Sequence, residues 1–427
     1  MDYRIFPPEE ILETTISLPL SKSMAARTLA MDFVAGGADA LSAPDALPRC
    51  EDTDVLRAIL AKGLPADGAT VDAASSGSAL RILTALFAAS EGCSCRITGT
   101  DSLRHRPVGP LVEALRSLGA DISYAVREGY APLDIRGRRL AGGTVTLDPS
   151  HSSQFATALM LAAPLMADGL TIRYTVPTVS APYVRLTADM MRRRGVAAEA
   201  DTEGVAVPRG TYDDRPSPCE PDWSAAAFWY EITALTAGWV TLPGLRGDSC
   251  QPDRAAAGIF ERLGANTDFS DEGAELSASP ELFSFVEADM ADNPDLVPPL
   301  AVTACLAGIP FRFSGVAGLR HKESDRLAAL RDELARIGCP LSIENYDNVL
   351  SWDGTRLPIR ELPVFDSHND HRIAMALAPV SVFLPGIVVR GAECVGKSYP
   401  GFWDDLVSAG FTLADPSAPM PERDGQQ

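Results

Sequence analysis

Two kinds of apolar pattern alternate along the chain. The first is apolar on nearly every face: KSMAARTLAMDFVAGG (22–37), SSGSALRILTALFAASEG (75–92), SSQFATALMLAAPLMADG (152–169), DWSAAAFWYEITALTAG (222–238), NPDLVPPLAVTACLAG (293–308) and NDHRIAMALAPVSVFLPG (369–386). Each opens on small polar residues able to cap a helix, continues for roughly four turns and stops at Gly, which predicts six buried helices. Between them lie DTDVLRAILAKG, PVGPLVEALRSLG, PYVRLTADMMRRRG, PDRAAAGIFERLG, SDRLAALRDELARIG and the shorter GFWDDLVSAG. These carry an i, i+3, i+4 apolar stripe with charges opposite, and most lead into β-like stretches such as ADISYAV and PLSIENY. A buried helix, a half-exposed helix and short strands, recurring every 55 to 75 residues or so, predict six α/β units.

The periodicity breaks at YDDRPSPCEPD, where prolines and aspartates take over, so the boundary between two halves of three units is placed near residue 218. A length of 427 residues suits two or three domains at about 150 residues each. The stretch IAMALAPVSVFLPGIVV approaches membrane length, but Pro379 and the Pro385-Gly386 pair divide it into helix, turn and strand. No signal or transit segment is read at the N-terminus, so a cytoplasmic chain is expected, and the tail from Asp415 is expected to be disordered.

A formal charge of −20 argues against a nucleic-acid or acidic-membrane partner, because phosphate backbones need a broad basic surface. An anionic ligand must then meet cations that are local and concentrated. The eight cysteines form no C-x-x-C, which suits reduced thiols, and five histidines without paired Cys/His spacing make a metal site improbable, His368 and His371 included. Basic residues do gather at the predicted helix starts: Lys22 and Arg27, Arg104 and Arg106, Lys322 and Arg326, Arg372, and Lys397 between Gly396 and Ser398. Taken singly, each has an ordinary reading as a cap neighbour or solvated loop cation. HKESDR is less ordinary, since Lys322 and Arg326 fall four apart on one helical face with Glu323 in the first turn, and like charges at that spacing repel unless an anion lies between them. Recurrence at one helix start after another points to phosphate or carboxylate binding.

The ordered motifs SKSxxxR, SGSALR, RPVGPLVEALRSLGA, SSQF, SAPY, NPD, KESDR, NDHRIAM and GKSYPGF resemble those of the 5-enolpyruvylshikimate-3-phosphate synthase family, from about residue 17 to residue 403. The resemblance implies an α/β fold of two inside-out barrel domains, each of three repeated units with buried helices. One domain would span 20–218, the other 1–19 with 219–427, and the active site would lie in the cleft between them. It implies transfer of the carboxyvinyl group of phosphoenolpyruvate to the 5-hydroxyl of shikimate 3-phosphate with release of phosphate, without metal or organic cofactor, by a monomer whose partners are these small molecules.

By motif, Lys22, Gly77, Arg106, Gln154, Arg326, Arg372 and Lys397 are expected to bind phosphoenolpyruvate. Ser23, Arg27, Ser152, Ser153, Gln154, Ser180, Tyr183, Asp295 and Lys322 are expected to bind shikimate 3-phosphate. Glu323 is expected as the acid/base toward the methylene carbon, Asp295 as acceptor of the hydroxyl proton, and Lys22 as donor to the departing phosphate. The chain departs from the family pattern at Ala25, Ala26, Ser75 and Gly318, which bears on affinity. The alternatives are a UDP-N-acetylglucosamine enolpyruvyl transferase and a catalytically silent metabolite-binding paralogue. Lys22-Ser23, and the lack of cysteine between Cys95 and Cys219, weigh against the former.

Overall fold

The computed structural model describes residues 1–43, 46–150, 152–176, 180–215 and 217–417. Its helices are α1 (Lys22–Gly36), α2 (Glu51–Leu60), α3 (Gly77–Ala88), α4 (Asp101–Arg104), α5 (Gly109–Ser117), α6 (Gln154–Ala162) and α7 (Ala181–Arg193). They continue as α8 (Trp223–Leu235), α9 (Ala256–Phe260), α10 (Val297–Ala307), α11 (Arg326–Ala335), α12 (His371–Leu377) and α13 (Phe402–Ser408). The chain divides into two compact units. One holds Met1–Pro19, Asp222–Ser249 and Asp253–Gln427; the other holds Leu20–Pro221 and Cys250–Pro252. The sequence boundary after residue 218 thus falls three residues before the observed one, and the brief return at Cys250–Pro252 has no sequence signal.

Among the described residues, five four-stranded sheets share one plan. A strand leads into an apolar helix, a second strand pairs parallel with the first, a half-exposed helix follows, and two further strands complete the sheet antiparallel. In the Leu20–Pro221 unit, Ala69–Asp72 and Ser94–Thr98 flank α3, and Asp121–Tyr124 and Leu133–Arg136 follow α5. Gly143–Leu147, Leu170–Tyr174, Glu199–Ala200 and Gly204–Val207 repeat the plan around α6 and α7. The other unit holds three copies, built on α8, α10 and α12. Two of those borrow strands from the start of the chain: Glu13–Thr15 pairs parallel with Trp239–Pro243, and Asp2–Phe6 lies between Ile387–Arg390 and Thr412–Ala414.

The sixth repeat departs from expectation. Among the described residues α1 and α2 have no sheet of their own, and the linking sequence explains it: Gly37 to Cys50 contains Pro44 and Pro48 and no apolar–polar alternation.

All six apolar segments form helices, and these pack on one another in threes, α1, α3 and α6 in one unit and α8, α10 and α12 in the other. Their residues dominate two separate buried clusters. In α10 every residue from Val297 to Leu306 is buried; Pro298 and Pro299 sit in the first turn, where no backbone N–H is needed, and Gly308 ends the helix at φ +75°. Pro164 and Pro379 shorten α6 and α12, whose last turns tighten into 3-10 turns at Ala163–Leu165 and Ala378–Val382. The apolar stretch after His371 therefore becomes helix, 3-10 turn and the strand Ile387–Arg390, and no helix among the described residues is long and apolar enough to cross a membrane.

The segment PDRAAAGIFERLG, expected as one helix, is a 3-10 turn, the five-residue α9 and another 3-10 turn. Caps are fewer than expected: Ser76, Asp222 and Asp370 accept from first-turn N–H groups of α3, α8 and α12, whereas the side chains of Ser21 and Ser153 make no such bond at α1 and α6. Of the tail from Asp415 that was expected to be disordered, residues 415–417 are described, the Arg4 side chain donating to the Pro416 carbonyl at 2.7 Å, and the remainder lies outside the described residues.

Candidate active site

The candidate residues stand at helix starts in both units, and each unit assembles its own set. In the Leu20–Pro221 unit, Lys22 is the first residue of α1, and its Nζ lies 3.0 Å from Oδ2 of Asp52, in the first turn of α2. Arg27, one turn further along, is buried and bonded throughout. Its Nε donates to Thr187 Oγ1 at 2.8 Å, one terminal nitrogen to the Ser23 carbonyl at 2.7 Å, and the other to Thr157 Oγ1 at 3.3 Å and the Tyr183 carbonyl at 3.0 Å. Ser23, Arg27 and Tyr183 are thereby brought together, at the joint of α1, α6 and α7. Burial lowers the Arg27 guanidinium to about 10, leaving it charged at neutral pH.

A second cluster forms around Arg81, a residue inside the SGSALR motif to which the sequence assigned no role. Arg81 donates to Gln154 Oε1 at 2.6 Å and to the Pro107 carbonyl at 3.0 Å, and its guanidinium lies 5.3 Å from the Phe155 ring centroid. It ties together the starts of α3 and α6 and the loop bearing Arg106. Gly77 opens α3 against the same groups: a Cβ there would lie 2.6 Å from one Arg106 terminal nitrogen and 2.9 Å from Arg81. Only a residue without a side chain lets Arg106 sit this close. Gly77, Arg106 and Gln154 thus share one neighbourhood. Ser152 accepts from the Gln154 N–H at 3.2 Å, Ser153 is buried at the N-cap of α6, and Ser180 holds the N-cap of α7 with φ +55°, a left-handed conformation unusual for serine.

The other unit concentrates charge more densely. Asp295, in the 3-10 turn Pro294–Leu296 before α10, receives three cations: Lys322 Nζ at 3.3 Å and Arg326 at 2.8 Å on Oδ1, and Arg372 at 3.0 Å on Oδ2. Arg326 is 1% exposed and also bonds Glu323 Oε2 at 2.9 Å and both oxygens of Asp370 at 2.8 and 3.2 Å. Lys397 Nζ stands 3.8 Å from Glu323 Oε1. Four cations therefore share three carboxylates. Burial pushes the Asp295 carboxyl up, but Arg372, Lys322 and Arg326 together hold it well below the usual carboxylate range. Around Arg326 the balance runs the other way: burial opposes the charge, and Asp370, Glu323 and Asp295 more than restore it.

This geometry corrects the reading of HKESDR. Asp325 caps α11 by accepting from the Ala328 N–H at 3.1 Å, so the helix begins at Arg326. Lys322 and Glu323 precede the helix, and the two cations do not share a helical face. The anion between them is the chain's own Asp295. Asp370, quoted in NDHRIAM without a role, holds Arg326 while capping α12 through the Arg372 N–H at 3.0 Å. Asp52 was likewise unassigned; an acid in the first turn of α2 was the available signal. His368 pairs with Glu333 at 3.0 Å, His371 is buried, and no cluster of three metal-ligating side chains occurs among the described residues.

A sequence profile of the family described as EPSP synthase (3-phosphoshikimate 1-carboxyvinyltransferase) matches residues 8–406. A 3-phosphoshikimate 1-carboxyvinyltransferase of Bacteroides fragilis is 39% identical over 415 residues, covering 97% of this chain and 99% of the relative. One from Methanoculleus marisnigri is 34% identical, covering 92% of each. Among solved structures, an EPSP synthase from Acinetobacter baumannii superimposes with a TM-score of 0.74 at 21% identity, over 97% of this chain and 100% of that one. The enolpyruvyl transferase NikO from Streptomyces tendae gives 0.72 at 18% identity, over 98% and 99%. At such identities the two structures speak for the fold alone.

Proposed function

The chain belongs to the EPSP synthase family, and from that premise we propose that it transfers the carboxyvinyl group of phosphoenolpyruvate to the 5-hydroxyl of shikimate 3-phosphate, releasing inorganic phosphate. The observation that carries this reading is the convergence of Lys322, Arg326 and Arg372 on Asp295, with Arg326 and Lys397 on Glu323. Two carboxylates held among four cations supply what an addition–elimination between two anionic substrates requires: charge to bind them, and groups to move protons. The inside-out arrangement of the two domains, and a cleft between them as the place of reaction, belong to the same proposal.

The 5-hydroxyl oxygen bonds to the central carbon of phosphoenolpyruvate as its proton passes to Asp295, while Glu323 delivers a proton to the methylene carbon. The tetrahedral adduct then loses phosphate as its carbon–oxygen bond to phosphate breaks: Glu323 takes back a proton from the new methyl group, and Lys22 protonates the departing oxygen; Asp295 gives up the hydroxyl proton and Lys22 regains one by exchange with solvent, which closes the cycle. Lys22, Gly77, Arg106, Gln154, Arg326, Arg372 and Lys397 are assigned to phosphoenolpyruvate. Ser23, Arg27, Ser152, Ser153, Gln154, Ser180, Tyr183 and Lys322 are assigned to shikimate 3-phosphate, with Asp295 at its 5-hydroxyl. Paired with three cations, Asp295 is a weak base. Substrate phosphate and carboxylate groups drawing Lys322, Arg326 and Arg372 toward themselves would raise its proton affinity at the moment it is needed.

The test is phosphate release from phosphoenolpyruvate, with shikimate 3-phosphate or UDP-N-acetylglucosamine as acceptor. Turnover with the former alone is expected. Turnover only with the UDP-sugar would transfer the reading to that acceptor, and turnover with neither would favour a silent paralogue.

A further inference from the structure

A fourth carboxyl group stands behind the cluster, and the roles assigned above make no use of it. Asp253 lies in the 3-10 turn Pro252–Ala255 and is 1% exposed. Its Oδ2 accepts a hydrogen bond from the hydroxyl of Ser224, in the first turn of α8, and its Oδ1 accepts from Asn293 Nδ2 at 3.4 Å. Asn293 is itself buried, and it immediately precedes the turn Pro294–Leu296 whose middle residue is Asp295. One buried side chain therefore spans from the start of α8 to the turn that presents the proposed proton acceptor.

We propose that Asp253 is a positioning residue for Asp295: by holding Asn293 against α8 it fixes the turn so that Asp295 meets Lys322 and Arg326 with one oxygen and Arg372 with the other. The inference rests on the reading of Asp295 as proton acceptor. Charge supports the geometry. Burial and the facing Asp295 push the Asp253 carboxyl up, Arg372 acting in the opposite sense, while Asp295 itself is held down. Two neighbouring carboxyls driven apart in this way are biased differently: Asp295 toward its ionised form, Asp253 toward its protonated one. A positioning group of this kind acts through distance, since a displacement of about 1 Å at a reacting atom costs on the order of 100-fold in rate.

The full chain with Asp253→Ala, Asp253→Asn, Asn293→Ala and Asp295→Ala tests this, by steady-state phosphate release across pH together with thermal unfolding. Asp253→Ala is expected to lower kcat by about 10- to 100-fold with KM for phosphoenolpyruvate within about twofold, and to displace the acidic limb of the kcat profile. Asn293→Ala, which removes the link and leaves the carboxyl, should reproduce the loss in kcat even if Asp253→Ala folds poorly. Asp253→Asn, neutral and of the same shape, should restore most of the rate. Wild-type kcat in both alanine variants, or an Asn variant as impaired as the alanine one, would overturn the proposal while Asp295→Ala is inactive. Turnover by Asp295→Ala would instead remove the acceptor reading beneath it.

Discussion

Glu323 answers to two cations at once, Arg326 on one oxygen and Lys397 on the other, so its charge can be tested apart from the proton-transfer role proposed for it. Glu323→Gln keeps an acceptor oxygen and the side-chain volume but cannot shuttle a proton. Turnover should fall by at least about 100-fold while shikimate 3-phosphate still binds, as calorimetric titration would measure; near-normal turnover would exclude Glu323 as the acid/base. Gly77 gives the converse case. In Gly77→Ala the new methyl group meets the tip of Arg106, a flexible side chain, so the fold should survive and Arg106 should shift. KM for phosphoenolpyruvate is expected to rise by about tenfold, a loss of roughly 1.4 kcal/mol, with the melting temperature little changed. At this scale the sequence revealed which residue types gather, but it could not show their pairing. Lys22 and Asp52 lie 30 positions apart, and reading Lys322 and Arg326 on one helical face overlooked Asp325, a favoured capping residue that starts α11 and leaves Lys322 outside the helix.

Elements were the most legible level, because a buried helix and a half-exposed helix write different periodicities. What periodicity cannot encode is how the helices are tied. Arg27 joins α1, α6 and α7 through four hydrogen bonds deep in one unit, so its loss should be felt without any ligand. Arg27→Met is expected to cost about 3 kcal/mol in urea unfolding of the substrate-free protein. A variant of full stability with weakened shikimate 3-phosphate binding would instead make Arg27 solely a ligand contact. Near Lys397 a smaller tie exists: Trp229 Nε1 donates to the Tyr399 hydroxyl at 3.1 Å, which donates to Asp405 at 2.6 Å, holding α8 to α13. Pro379, which shortens α12, was visible in the sequence as a stop, whereas Pro164 was not read as one, the segment around it being expected to run on to Gly169; that the following turns continue as 3-10 depended on packing.

At the scale of the whole molecule, one group among the described residues is at odds with its surroundings: Glu231, in the middle of α8. It is fully buried, both its oxygens lack a hydrogen-bond partner, and burial pushes its carboxyl well above the ordinary range. The native state thus keeps a proton that the unfolded chain gives up near pH 4.5, so this residue's contribution to stability is greatest below that pH and declines as pH rises toward the elevated native value. Glu231→Leu should therefore stabilise the protein at pH 8 by about 1–3 kcal/mol and do little at pH 4, as denaturant titrations at both values would show. An equal effect at both pH values would rule out a titrating Glu231. The sixfold repeat was readable at this scale, yet the missing sheet beside α1 and the return of Cys250–Pro252 were not, because both depend on which distant segments come to pair.

The strand Asp2–Phe6 has its only sheet neighbours among the described residues at Ile387–Arg390 and Thr412–Ala414. During translation it is made long before either of those partners and must wait for them, while the Leu20–Pro221 unit already has nearly all of its own sequence. Maturation should accordingly proceed middle outward, with the opening strand docking last and nascent chains halted before about residue 380 holding it unpaired. Limited proteolysis of such stalled chains should cleave near residue 6 while sparing α3 and α6.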